Sequence, residues 1–165
     1  MSLQAAAGRG ASAQGSANLD AIDDRIVREL SRDGRVSNAE LAERVGLSAS
    51  ACSRRVPELE RKGVIVGYRA VLDRAALGAG FTAYVAVGLS RHTKEEQIAF
   101  ERAMAAAPAV RECHNVTGAV EYLLRVEVGD LKAYKHFHQE VLGALREVST
   151  ITSYIVMASP KDERA

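Results

Sequence analysis

The chain has 165 residues, with 22 Lys and Arg against 21 Asp and Glu, a formal net charge of +1. That balance excludes a protein that coats nucleic acid by bulk basicity and an acidic-tail protein, but not a DNA reader, which needs only a local basic face. The lack of Trp and an aromatic content of 5% argue against a stacking platform for single strands. Two cysteines, Cys52 and Cys113, suit a reducing cytoplasm better than a disulfide framework. No apolar run approaches the roughly 20 residues of a membrane span, and the opening MSLQAAAGRG has no secretory apolar region. A cytoplasmic protein without a membrane partner is expected.

Residues 1–18 are mostly Ala, Gly, Ser and Gln, with Arg9 as the one charge. They hold too little apolar surface to offset chain entropy and are predicted to form a disordered arm. From Leu19 the pattern changes. Leu19, Ile22, Ile26, Val27 and Leu30 recur on one helical face, with Asp20, Asp23 and Asp24 at the positive end of the dipole and Asp33-Gly34 as the stop. Ser37 with Glu40 three residues on reads as a capping box for a second helix with Leu41, Ala42 and Val45 inside. Gly46 ends that helix. Ser48 caps a third, whose buried stripe is Cys52, Val56 and Leu59 and which closes at Gly63.

Three short helices with a tight turn before the last make a helix-turn-helix. The third helix then fits the major groove, its first turns toward the base edges. Those residues are Ser48, Ala49, Ser50, Ser53 and Arg54, small and polar apart from Arg54, the natural bidentate reader of guanine. Arg55 has two readings, a phosphate contact or a partner for a local carboxylate. The β-rich run Val64–Leu72 is predicted to form a strand packed on the helices, a wing.

Beyond a connector at 69–80, Phe81–Leu89 alternates as a strand. Lys94–Ala107 reads as a helix with Ile98, Phe100, Ala103 and Met104 available for burial, stopped by Pro108. Val110–Val116 and Glu121–Val128 read as strands around a turn at 117–119. Asp130 caps a helix striped by Leu131, Tyr134, Phe137, Val141, Leu142 and Leu145, and Ile151–Met157 is the last strand. The order βαββαβ is ferredoxin-like. Such a sheet carries helices on one face only, so the other face is expected to pair with a second copy.

No catalytic or metal constellation emerges. Cys113 and His114 are adjacent on a strand and point to opposite faces, and His136 and His138 do not share a helix face. No phosphate loop or nucleophile elbow is present. No metal, no cofactor and no enzymatic activity are expected.

The run Leu19-Asp20-x-Ile22-Asp23, then Asp33-Gly34-Arg35-Val36-Ser37-Asn38-x-Glu40-Leu41-Ala42, Val45-Gly46-Leu47-Ser48, and Cys52-x-x-Arg55-Val56-x-x-Leu59-Glu60-x-x-Gly63-Val64-Ile65-x-Gly67-Tyr68 resembles the Lrp/AsnC family of transcription regulators. One departure is Pro57 in the third helix, which removes an N–H and crowds the Ser53 carbonyl. The resemblance implies an α+β chain. An N-terminal winged helix-turn-helix domain (19–68) and a linker (69–80) precede a C-terminal ferredoxin-like βαββαβ domain for effector binding and oligomerisation (81–158), with a tail at 159–165. It also implies double-stranded DNA carrying an inverted repeat as partner, homodimers that commonly build octamers, and an amino acid or related metabolite as effector.

The family's turn between strands two and three usually reads Gly-Asp-x-Asp-Tyr and helps hold that effector. Here Thr117 precedes Gly118-Ala119-Val120-Glu121-Tyr122, with Ala119 where the first Asp is usual. Glu121 stands two residues on, on the same side by strand alternation, and is the candidate substitute for that carboxylate toward a ligand ammonium. Two other functions stay open at this point: an architectural DNA organiser without ligand, and an enzyme or small-molecule carrier on the same fold.

Overall fold

The computed structural model describes residues 18–162, which divide into two units between Ala70 and Val71. The arm expected over 1–18, with Arg9, lies outside these residues apart from Asn18, as does the end of the tail from residue 163.

The first unit is three helices, α1 (Ala21–Arg32), α2 (Asn38–Val45) and α3 (Ala49–Arg61). Local chemistry sets each start. Asp20 caps α1 by accepting from the N–H groups of Ile22 and Asp23. Ser37 and Glu40 close a reciprocal capping box on α2. The Ser48 hydroxyl accepts from Ala51 N–H at the start of α3. Between α2 and α3, Gly46 adopts φ +74°, a left-handed conformation with little cost only for glycine, while the Leu47 N–H reaches the Ala42 carbonyl at 2.8 Å. Only residues 46–48 separate the helices, which fixes where α3 begins. Ile26, Leu41, Ala42, Val45, Cys52 and Leu59 are buried between them, with Val56 packed alongside.

One expectation for this unit is corrected. Residues 64–72 form no strand. A strand needs a ladder partner, and no other segment of this unit is a strand among the described residues. Val64 and Ile65 return to the Leu59 carbonyl, the Tyr68 hydroxyl donates to Glu60, and Val66 stays 94% exposed. Pro57 does not break α3, which is assigned as one helix across it. Its ring sits on the exposed side, where the crowded carbonyl can tilt toward water.

The second unit is a four-stranded antiparallel sheet in the order β2-β3-β1-β4, from β1 (Phe81–Leu89), β2 (Val110–Asn115), β3 (Tyr122–Val128) and β4 (Val148–Ile155). With helices α4 (Lys94–Ala106) and α5 (Leu131–His136) the chain order is βαββαβ, the ferredoxin-like arrangement. Ala83, Val85, Val87 and Leu89 of β1 alternate into one core with Tyr122, Leu124 and Val126 of β3. Phe100 and Met104 of α4, Tyr134 of α5, and Phe137 and Leu142 beyond it cover that face.

Some boundaries shift. Ile98 is 37% exposed, because it lies about 200° around α4 from Phe100. The last helix widens into a π-helical turn over Phe137–Leu142, and Leu131 at its start is 60% exposed. The last strand starts at Val148 rather than Ile151, in register with Leu89 of β1, and Met157 beyond it is 97% exposed. The second half of the expected connector packs within this unit. A turn at 73–79 is pinned by Ala76 N–H donating to Asp73, and Arg74 pairs with Glu127 at 3.5 Å.

The helix-free face divides into two parts. Toward β2 it is closed by an ionic network in which Arg125 pairs with Glu112 and Glu127, and Glu127 also takes Arg74 and Arg111. Toward β4 it carries Tyr84 opposite Tyr154, which is 59% exposed.

Phe100 is fully buried and its ring lies 4.6 Å from that of Tyr122. Phe100→Ala is expected to cost about 3–5 kcal/mol, read as an earlier urea midpoint for the C-terminal unit.

Candidate functional site

The helix-turn-helix turns one side of α3 inward and leaves the other open. Cys52, Val56 and Leu59 face the core, while Ala49, Ser50, Ser53, Arg54 and Pro57 are exposed. Of the residues singled out from sequence, Ser50, Ser53 and Arg54 therefore share one open strip. Arg54 makes no ion pair among the described residues. Ser48 is already engaged as the cap, its hydroxyl 3.1 Å from that of Ser50.

Arg55 is placed differently from Arg54. Its Nη1 donates to Asp20 Oδ2 at 2.8 Å and to Asp23 Oδ1 at 2.7 Å, both at the start of α1. Of its two readings, the structure shows the local carboxylate. Spacing along the chain gives no sign of this pairing, since the partners lie 35 and 32 residues apart.

Thr117, Gly118 and Ala119 are exposed in the loop between β2 and β3. Gly118 has φ +141°, and a Cβ placed there would meet nothing within 4 Å, so its need for glycine is one of backbone and not of space. The Val116 N–H closes the loop on the Glu121 carbonyl at 2.8 Å.

Glu121 does not follow the strand alternation expected of it. The strand starts only at Tyr122. The Glu121 carboxylate accepts from Leu89 N–H at 2.7 Å through one oxygen and lies 2.8 Å from His92 Nδ1 through the other. Tyr122 belongs to the core, 1% exposed, its hydroxyl donating to Glu101. Desolvation, with Glu101 adding to it, pushes the Tyr122 phenol up to about 12. The two cysteines are not activated: burial raises the Cys52 thiol, and desolvation with Glu101 pushes that of Cys113 up to about 11. Among the described residues no three His, Cys, Asp or Glu side chains gather as a metal site, and no helix is long and apolar enough to cross a membrane.

A three-helix unit that offers one side of its last helix, followed by a βαββαβ unit with a helix-free face, defines a two-domain DNA-binding regulator. Comparison with known proteins agrees. The winged helix-turn-helix DNA-binding family model matches residues 19–66, and the Lrp/AsnC ligand binding domain model matches residues 82–165. The leucine-responsive regulatory protein of Rhizobium meliloti is 44% identical over 144 residues, covering 87% of this chain and 92% of that protein. That of Escherichia coli K12 is 40% identical over the same length, covering 87% and 88%. Among solved structures, the transcriptional regulator NMB0573 in its L-Met complex, from Neisseria meningitidis, superposes with a TM-score of 0.84 at 33% identity, covering 87% of this chain and 93% of that one. An AsnC family regulator from Agrobacterium tumefaciens gives 0.82 at 33% identity, covering 87% and 94%. The chain belongs to the Lrp/AsnC family: it is a transcriptional regulator with a DNA-binding helix-turn-helix and a ligand-binding domain, and not an enzyme.

The cap chemistry carries a pH signature. The Asp23 N–H, then the Arg55 guanidinium, hold the Asp20 carboxyl below its ordinary 3.8. The Ser37 hydroxyl and then its N–H hold Glu40 below 4.5. Lowered folded values stabilise the native state above the ordinary values, and that stabilisation is lost as pH falls through the folded ones. Helicity of the first unit is therefore expected to weaken against urea as pH drops below 4.5. The double variant Asp20→Ser, Glu40→Gln should lose less stability over the same acid range, because neither carboxyl is left to protonate.

Proposed function

We propose that the protein reads an inverted-repeat DNA site through α3 as a homodimer, built further into a higher oligomer such as an octamer, and that an amino acid or related metabolite modulates it. Ser50, Ser53 and Arg54 are the base-facing residues, with Ser48 and Ala49 at the helix start letting the backbone approach the groove. The supporting observation is the one-sided burial of α3, which leaves Arg54 open and uncommitted on its first turns. The helix-free sheet face with Tyr84 and Tyr154 supports pairing of two copies through residues 81–158. Two-fold pairing would present two reading helices to a dyad in the DNA. The assigned compartment is the one that holds the DNA, the bacterial cytoplasm for the regulators it resembles.

Footprinting on the DNA upstream of its own gene should show protection in two dyad-related halves. Arg54→Ala should weaken specific binding by about 1–3 kcal/mol and relax preference at one base position per half-site. Unchanged affinity and preference would displace α3 from the groove.

The ligand reading draws on the Lrp/AsnC ligand-binding match over residues 82–165 and on the L-Met complex of the Neisseria relative. The effector loop assigned to it is Thr117, Gly118, Ala119, Val120, Glu121 and Tyr122. Its open part offers backbone N–H groups about Gly118, suited to a carboxylate. Calorimetry across the twenty amino acids should give binding by at least one. Binding by none, from protein that still holds DNA, would replace the sensor with a ligand-independent organiser of DNA.

A further inference from the structure

Arg54 and Arg55 are neighbours on the helix assigned to the major groove, and both look from sequence like contacts to nucleic acid. The structure separates them. Successive residues of an α-helix are turned by about 100°, and that turn puts Arg54 on the open side and Arg55 beside the core stripe of Cys52, Val56 and Leu59. Arg55 Nη1 is held by two carboxylates 2.7 and 2.8 Å away. Asp23 is 7% exposed. Asp20 does two jobs at once: Oδ1 caps α1 by accepting from Ile22 and Asp23 N–H, and Oδ2 accepts from Arg55. One guanidinium thereby ties the first turn of α1 to the middle of α3. The charges answer one another, with the Arg55 guanidinium raised by Asp20 and then Asp23, and the Asp20 carboxyl lowered in turn.

We infer that Arg55 is a positioning residue for DNA reading and not a phosphate contact: the Asp20–Arg55–Asp23 latch fixes the angle at which α3 presents Ser50, Ser53 and Arg54. The inference rests on α3 being the reading helix. Its consequence has a sign that a phosphate contact cannot mimic. A carboxylate close to DNA repels phosphates, so its removal ordinarily strengthens binding. If Asp20 holds the reader in place through Arg55, its removal weakens specific binding instead. Asp20→Ser is the informative variant, because serine is as good an N-cap as aspartate, so the cap is kept while the second oxygen and the negative charge are lost.

The test uses the full-length protein and two duplexes of equal length, one selected from a random library by the wild type and one of scrambled sequence. Affinity is measured over a range of salt for wild type, Asp20→Ser, Arg55→Gln and the double variant, with a thermal melt confirming that each is folded at the assay temperature. The latch predicts that each single variant loses about threefold in affinity for the selected duplex, of the order expected for a half-exposed ion pair. The double variant should lose no more than Arg55→Gln alone. Affinity for the scrambled duplex and the slope of log affinity against log salt should stay at wild-type values.

A slope reduced by about 0.9 in Arg55→Gln, the mark of one lost phosphate contact, would overturn the latch, as would equal or tighter binding by Asp20→Ser. Should Arg55→Gln fail to fold, Asp20→Ser decides alone by the sign of its effect. A wild type that selects no sequence from the library would remove the reading helix itself, a separate result from failure of the latch.

Discussion

A helix that reads DNA has to be held by one side only. In this chain that constraint falls on α3, thirteen residues with Cys52 and Leu59 fully buried and Val56 packed beside them, and with Ser50, Ser53 and Arg54 on the far side. The rest of the first unit serves that arrangement. Helix α2 supplies Leu41, Ala42 and Val45 as the surface on which α3 lies, and the left-handed Gly46 brings the chain back within three residues. A longer connection would loosen the start of α3, the turns on which Ser50, Ser53 and Arg54 stand. The same logic explains why Pro57 is tolerated: it stands on the open side, so the lost N–H and crowded carbonyl disturb no packed contact.

The second unit solves the opposite problem. Its sheet has one face covered by α4 and α5 and the other bare of helices. Alternation along β1 sends Ala83, Val85, Val87 and Leu89 to the covered face and Thr82, Tyr84 and Ala86 to the bare one. The bare face is not uniform. Glu127, with a side chain only 6% exposed, gathers Arg74, Arg111 and Arg125, an arrangement in which a desolvated carboxylate is offset by several guanidinium donors. That network commits the β2–β3 side and the turn at 73–79 to each other. The aromatic strip of Tyr84 and Tyr154 is left as the part suited to burial against a second copy.

What could be read from sequence was what is decided locally. The caps at Ser37, Ser48 and Asp130 each need only a side chain and an N–H three residues away, and all three form as read, while Asp20, read only as an anion in the first turn, is itself the cap of α1. The core residues Ile26, Leu41, Cys52 and Phe100 follow from periodicity alone. What could not be read depends on distant partners. The 64–72 segment has strand composition but no neighbouring strand to pair with. The end of β4 is set by register with β1, not by where its apolar run stops. Arg55 is ambiguous from sequence because its carboxylates lie 35 and 32 residues back, at the start of α1. The resemblance to the Lrp/AsnC family supplied the ligand loop, which residue patterns alone would have left as a tight turn around Gly118.

Glu121 shows how much such a carried-over site depends on local backbone. Strand alternation would aim it the same way as Ala119, toward whatever the loop binds. The loop is still turning at Glu121, so alternation has not begun, and the side chain folds back onto Leu89 N–H and His92. Both carboxylate oxygens are thus engaged at the end of β1, and the exposed stretch Thr117–Ala119 presents backbone with no acidic side chain of its own. A ligand ammonium could be met by Glu121 only in exchange for the Leu89 or His92 contact. Because the Leu89 N–H, in a residue only 5% exposed, would be left without that acceptor, the exchange carries the cost of an unsatisfied buried donor, about 1–3 kcal/mol. A ligand recognised mainly through its carboxylate, at the N–H groups about Gly118, incurs no such cost. On the proposed reading of this loop as the effector site, the replacement of the usual Asp by Ala119 would therefore shift weight from the ammonium end of the ligand to the carboxylate end.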